Sequence, residues 1–206
     1  MPRARAQEIL SNLERYRQYI APSIPRGDWV ERTPGGSVSN MYFPSRVDPF
    51  FEALGSWSTL VDLAQRASGR SVAYLGSEAF DKPARTGPAA LPHQDGIYWV
   101  DTDVEIAHVW LPLDEVTRGN GALLYWPGSH LPGTVAHETI PGTGRQRVTR
   151  SLMEALGPPL IACAEPGDAI FHHSDIVHGS LPNVSEASRR AINVAYDPAV
   201  SPFTCW

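Results

Sequence analysis

Cysteine is nearly missing from this chain: Cys163 and Cys205 are the only two in 206 residues, and neither sits in a C-x-x-C spacing. That excludes a disulfide framework and a cysteine-based zinc site, and it fits a reducing compartment. Basic charge is not in excess either, with 17 Lys and Arg against 22 Asp and Glu and a net charge of -5. A nucleic-acid binder concentrates positive charge on one face, so nucleic acid is not an expected partner. No window of about eighteen uninterrupted apolar residues exists, and MPRARAQEILSNLERYRQ at the start lacks the apolar stretch of a secretory signal. A cytoplasmic location with no membrane partner is therefore expected. Repeats of fixed period are absent, which argues against a propeller or solenoid.

What is present, 42% hydrophobic residues, suffices for one core in a single domain over 1–206. The part spanning 1–70 reads as helical. Ile9, Leu10, Leu13, Tyr16 and Ile20 recur at helical spacing until Pro22 and Pro25 stop them. After Asp48-Pro49, the run FFEALGSWSTLVDLAQRASG places Phe51, Leu54, Leu60, Leu63 and Ala64 on one face, breaks near Gly55-Ser56 and closes at Gly69. From Ser71 onward, short aromatic and β-branched runs alternate with Gly, Pro and Asn turns: SVAYLG, HQDGIYWV, EIAHVWLPL, GALLYWPG, DAIFHH and RAINVAY. This rhythm predicts a double-sheet β core over 71–206 with helices laid on it. The stretch 131–160 is a candidate lid, an insertion loop with at most one short helix at SLMEAL.

In LPHQDGIYW, strand geometry would turn His93 and Asp95 to one side and Gln94 to the other. Alone this is a weak signal, because a His near an Asp is commonly just a hydrogen-bonded pair. PGDAIFHHSDIVHGS adds a strand, a turn at His173-Ser174-Asp175, and His178 opening a new short strand as a candidate third ligand. Two imidazoles and one carboxylate on one face of an octahedron leave open positions, the arrangement of non-haem Fe(II) oxygenases. No H-E-x-x-H or related zinc pattern competes with it. His172 is a rival ligand.

Over 189–196 one face carries Arg189, Ala191, Asn193 and Ala195, and the other carries Arg190, Ile192, Val194 and Tyr196. The small, polar face would line a cavity, which makes Arg189 the inward guanidinium, suited to a carboxylate held by two parallel hydrogen bonds. The same parity makes Ile106, His108 and Trp110 lining candidates, and Tyr98 and Trp99 join His108 as candidate substrate contacts. His108 reads first as a core histidine bonded to a neighbour. Arg145, Arg147 and Arg150 in the candidate lid read as a solvated charge run, with a basic cover over an anionic substrate as the alternative.

The segments LPHQDGIYW, VWLPLDEVTRGNGALLYWPGSH and EPGDAIFHHSDIVHGSLPNVSEASRR, with Lys82-Pro83 upstream, resemble in order the phytanoyl-CoA dioxygenase family of Fe(II)- and 2-oxoglutarate-dependent oxygenases. The resemblance implies a mainly β fold with flanking helices: a double-stranded β-helix (jelly roll, cupin-like) with the N-terminal helices packed on the major sheet. It implies His93, Asp95 and His178 as metal ligands, and Arg189, Ser180 and Trp110 as the residues that hold 2-oxoglutarate. Fe(II) is then the cofactor and 2-oxoglutarate and O2 the co-substrates. The implied reaction is hydroxylation of a C-H bond in a small-molecule substrate, with release of succinate and CO2. Halogenating relatives lack the carboxylate found here at Asp95, so hydroxylation is the expected branch. Desaturation, cyclisation or epimerisation on the same iron remain variants. A non-redox cupin-like metal-binding protein or isomerase is the alternative class, against which Arg189 speaks. Asn120-Gly121 and Pro127-Gly128-Ser129-His130 read as turn and scaffold residues, and Lys82 as a solvated loop lysine.

Overall fold

Apolar residues at helical spacing make the first element: α1 (Arg3–Tyr19) buries Ala6, Ile9, Leu13 and Tyr16 along one face. The computed structural model describes residues 1–25, 29–32, 36, 38–99 and 106–198. Cys205 and the start of the expected strand at Glu105 lie outside the described residues. Asp48 caps α2 (Pro49–Leu54) by accepting from the Phe50 N–H at 3.0 Å, with Pro49 in the first turn where its missing N–H costs nothing. α3 (Ser58–Ser68) stops at Gly69, whose φ of 70° suits glycine and whose N–H bonds the Gln65 carbonyl. The break near Gly55 and the stop at Gly69 both fall where the sequence placed them.

The segment 1–70 is not purely helical. It also forms β1 (Val30–Arg32) and β2 (Val38–Tyr42), which extend a six-stranded sheet. These strands bury too few side chains to show an alternating pattern in sequence. The sheet runs β1-β2-β3-β12-β5-β10, with β3 (Ala73–Lys82), β5 (Ala107–Pro112), β10 (Ile170–His173) and β12 (Arg189–Asp197), every neighbouring pair antiparallel. A four-stranded sheet runs β4-β11-β6-β9, with β4 (Ala90–His93), β6 (Leu123–Tyr125), β9 (Leu160–Ala162) and β11 (His178–Ser180).

The alternation in β12 divides two cores. Ile192, Val194 and Tyr196 join Val109 and Leu111 of β5 and the buried faces of α1, α2 and α3 in one cluster. On the opposite face, Ala191 and Trp110 meet Leu123 and Tyr125 of the smaller sheet. Arg190 points to the helix side, where Asp114 and Glu14 bind its guanidinium at 2.7 and 2.8 Å.

Two expectations need correction. HQDGIYWV is not a continuous strand: β4 ends at His93, and Asp95–Tyr98 form a 3-10 turn. Gly96 forces the change, since its N–H bonds the Ser174 carbonyl at 3.0 Å and a Cβ there would run into the Asp175 carboxylate. The 131–160 stretch is not a plain loop with one helix. It holds a hairpin of β7 (His137–Thr139) and β8 (Gln146–Val148) before α4 (Arg150–Leu156). HET and QRV are short, half-exposed strands, so burial leaves no period-2 signature.

At Gly179 the strands β4 and β11 approach so closely that a Cβ would lie 2.7 Å from the Ala90 carbonyl oxygen. Gly179→Ala is expected to cost about 1–3 kcal/mol through overpacking and to spread His93 from His178, measurable as a lower melting temperature and weaker metal binding. An unchanged melting temperature would show that the strands part without strain.

Candidate active site

β4, the turn after it and β11 bring His93, Asp95 and His178 to one point. His93 and His178 are register partners across β4 and β11, their ring centroids 4.4 Å apart. Their Nε2 atoms stand 3.5 and 3.7 Å from Asp95 Oδ1. Each imidazole has its other nitrogen fixed by a backbone carbonyl, His93 Nδ1 to Leu91 O at 2.7 Å and His178 Nδ1 to Ile176 O at 3.1 Å. A carbonyl only accepts, so Nδ1 carries the proton and the Nε2 lone pair faces the common point. Burial disfavours the charged form of His178 and pulls its pKa down to about 3, with Asp95 opposing only in part. For Asp95 burial opposes ionisation, but the surrounding imidazoles, His178 foremost, hold its carboxyl well below the usual range. His178, neutral beside an ionised carboxylate, has the protonation pattern that metal ligation requires, whereas at His93 burial is outweighed by the bond and charge of Asp95, which raise the pKa.

Arg189 begins β12, paired in register with Lys82 at the end of β3. It is 2% exposed, and its Nε and Nη1 find no hydrogen-bond partner among the described residues. Burial lowers its pKa to about 10, which leaves it charged. Its Cζ lies 5.5 Å from the centre of the Trp110 ring, which takes up one face of the cation and leaves the fork for an anion. Ser180 is buried on β11, two residues past His178. A guanidinium without a counter-ion in a dry cavity is costly unless an anionic ligand completes it. The donor set thus fits iron, and the orphaned guanidinium fits a carboxylate of 2-oxoglutarate.

The sequence model described as Phytanoyl-CoA dioxygenase (PhyH) matches residues 3–191. The chain belongs to the phytanoyl-CoA dioxygenase family. A relative from Stutzerimonas stutzeri, the probable alpha-ketoglutarate-dependent hypophosphite dioxygenase, is 29% identical over 157 residues, covering 73% of this chain and 54% of the relative. Phytanoyl-CoA dioxygenase 1 of Oryza sativa subsp. japonica is 27% identical over 152 residues, covering 72% and 53%. The chain spans about half the length of these curated relatives. Among solved structures, EctD from S. alaskensis with 2-oxoglutarate and 5-hydroxyectoine shares the fold at a TM-score of 0.75, with 19% identity over 93% of this chain and 67% of that one.

Other expected residues fall in differing places for a phytanoyl-CoA dioxygenase family site. His108 is a buried histidine bonded to a neighbour, its Nδ1 2.9 Å from Asn193 Nδ2, yet its Nε2 faces Asp95. His172 converges on the same carboxylate, whereas His173 lies beside His130 and accepts from the Asp175 N–H. Tyr98 is 49% exposed and its hydroxyl accepts from the Gln146 N–H of the hairpin, so it stands at the rim. Trp99 meets Phe43 edge-on. Arg145, Arg147 and Arg150 pair with Glu31, Glu138 and Glu154 at the surface.

Gln94 and Glu78 were not singled out in the sequence. The Gln94 side chain is fully buried and ties the metal-site turn to 131–160, donating to Gly133 O at 3.0 Å and accepting from Val135 N–H at 2.8 Å. No pattern in the sequence announces this role. Glu78 stands opposite Asn193 in the β3–β12 register, and burial, with Asp95 nearby, raises its pKa to about 8. Period-2 counting would have found it with Lys82 had the SVAYLG run been extended past Gly76, where Glu78, Asp81 and Lys82 break the apolar pattern.

Lys82 is a correction. It is not a solvated loop lysine but a buried residue at the end of β3, opposite Arg189, with Nζ donating to the Pro88 carbonyl. Burial and then Arg189 lower its pKa to about 7, from an ordinary value of 10.5. Between those values the unfolded chain binds a proton that the folded chain does not, so stability rises with pH across that window. Lys82→Met is therefore expected to stabilise the ligand-free protein by about 1 kcal/mol or more at pH 6, with the gain shrinking towards pH 10. Denaturant unfolding at several pH values reads this, and a gain independent of pH would contradict it.

Proposed function

We propose that this chain is an Fe(II)- and 2-oxoglutarate-dependent dioxygenase that hydroxylates a C-H bond of a small-molecule metabolite. The observation that carries the reading is the meeting of His93 Nε2, His178 Nε2 and Asp95 Oδ1, with the imidazoles locked in the ligating tautomer. On this reading residues 1–206 are one domain, a jelly roll with its N-terminal helices on the major sheet and 131–160 as a lid. Iron, 2-oxoglutarate and O2 would supply the oxidising power, with succinate and CO2 released.

The protein's share is placement. His93, Asp95 and His178 would hold the ion by one face, and Arg189, stacked over the Trp110 ring, would take the far carboxylate of 2-oxoglutarate with the help of Ser180. Lys82 at the end of the neighbouring strand adds positive charge at that end when protonated. The buried walls exclude water, which strengthens each charged contact. His108 and Trp110 line the interior, while Tyr98 and Trp99 stand at the rim where a substrate enters. The acidic balance, net charge -5, suits a small substrate better than a polyanion. No helix among the described residues is long and apolar enough to cross a membrane.

The test is to supply iron, 2-oxoglutarate and O2 together with a metabolite extract and follow succinate and product masses. Succinate formation that needs all three reagents, with a product 16 mass units heavier than its precursor, supports hydroxylation. Failure to form succinate while iron and 2-oxoglutarate are bound would overturn the oxygenase reading.

A further inference from the structure

His108 and His172 stand outside the proposed iron ligands, yet both aim Nε2 at Asp95. They are register partners on β5 and β10, with rings stacked at 5.0 Å and an interplanar angle of 14°. Each Nε2 is 3.6 Å from Asp95 Oδ2, just as His93 and His178 stand 3.5 and 3.7 Å from Oδ1. The carboxylate thus has an imidazole pair on each oxygen. Both side chains are buried, and neither His108 Nε2 nor His172 Nε2 has a hydrogen-bond partner among the described residues.

Three occupants could complete these nitrogens, and charge and distance choose among them. A direct hydrogen bond to Asp95 is best at about 3.2 Å or less, and although His172 still lowers the Asp95 pKa as a donor would, 3.6 Å leaves both Nε2 atoms outside hydrogen-bond geometry. An anionic substrate group at that point would meet Oδ2 and the nearby Glu78 carboxyl, which already repels Asp95. A cation is attracted by every group facing the spot. Two donors each about 2.1 Å from one tetrahedral ion lie about 3.4 Å apart, close to the spacing found. The ligand atoms of Asp95, His108 and His172 all lie within 4.8 Å of one another, as do those of His93, Asp95 and His178.

We propose a second divalent transition-metal site formed by His108 Nε2, His172 Nε2 and Asp95 Oδ2, with Asp95 bridging it to the iron position. Two imidazoles and a carboxylate oxygen favour a first-row ion such as Fe(II), Co(II) or Zn(II). The ligating tautomer is available on both rings. Tyr125 Oη lies 3.1 Å from His172 Nδ1 and can accept its proton. Asn193 can do the same for His108 once its amide is turned, which also gives Asn193 Oδ1, unpartnered among the described residues, a donor. These two side chains would serve as the Leu91 and Ile176 carbonyls serve His93 and His178.

The inference rests on the iron reading of His93, Asp95 and His178, and the test separates the two. Chelator-stripped full-length protein is dialysed anaerobically against Co(II) and its bound metal is counted by mass spectrometry, alongside circular dichroism to verify folding. Two equivalents are expected for the wild type, and one each for His108→Ala/His172→Ala and for His93→Ala/His178→Ala. One equivalent in the wild type, lost with His93 and His178 but not with His108 and His172, would overturn the second site and leave the first. No bound metal in the wild type would overturn both. Because the double variants remove buried side chains, the wild type loaded with Mn(II) gives a second readout. Its electron paramagnetic resonance spectrum is expected to be exchange-coupled, and the spectrum of an isolated ion at full loading would overturn the proposal.

Discussion

Arg189→Met is expected to remove 2-oxoglutarate binding without weakening the ligand-free protein. The guanidinium is buried with Nε and Nη1 unpartnered among the described residues, so in the absence of ligand it carries a desolvation cost that Asp81, Asp114 and the Trp110 ring offset only in part. Methionine fills much of the same volume without charge, and such replacements of buried ions are often neutral or stabilising by about 1–4 kcal/mol. Binding moves the other way. Truncating one partner of a buried charge pair costs about 2–5 kcal/mol, which is roughly 30-fold or more in Kd. In a thermal unfolding series, 2-oxoglutarate at about 100 times its Kd should stabilise wild type by about 2.7 kcal/mol. Arg189→Met should show a starting melting temperature equal to or above wild type and, with that ligand concentration, at most about a third of the wild-type stabilisation. A variant that melts well below wild type and still shifts fully would mean that Arg189 is a structural residue.

His178→Ala is expected to have a larger effect still, on the metal itself. Loss of an outer partner of a metal ligand commonly costs about 10–100-fold in affinity or activity. His178 contributes a ligand atom, so more than about 100-fold loss of Fe(II) affinity at the His93–Asp95–His178 position is expected, with turnover at background. The neighbours make this loss hard to repair, since His93 alone would remain with Asp95 Oδ1. His172, whose ring centroid is 5.1 Å from that of His178, is placed to substitute. His172→Ala alone should leave iron at the His93–Asp95–His178 position, and turnover retained in His178→Ala would move the catalytic site to His172.

Much of this arrangement was legible in the sequence because a strong physical pattern carried it. The β12 alternation separates Ile192, Val194 and Tyr196 from Ala191 and Asn193, and the two faces do enter different cores. Two helices could be bounded by Pro49 and Gly69 because backbone chemistry stops them there. His-x-Asp was legible as a pair although its local conformation was not, because Gly96 turns the chain after His93 through a bond to a residue far along the sequence. SVAYLG marked only the first part of β3, since Asp81 and Lys82 beyond it are buried by what they face across the sheet, which no local pattern reports. The hairpin at 137–148 was hidden for the opposite reason, being too exposed to need apolar alternation. Gln94 holds that segment to the site by tertiary bonds alone.

The central claim, that His93, Asp95 and His178 hold a ferrous ion beside a 2-oxoglutarate site built on Arg189, is tested most directly by anaerobic addition of Fe(II) and 2-oxoglutarate to the purified protein. A weak visible charge-transfer band that needs both reagents and is lost in His178→Ala is the expected result. No band in the wild type at saturating reagents, or a band unaltered by the loss of His178, would contradict it.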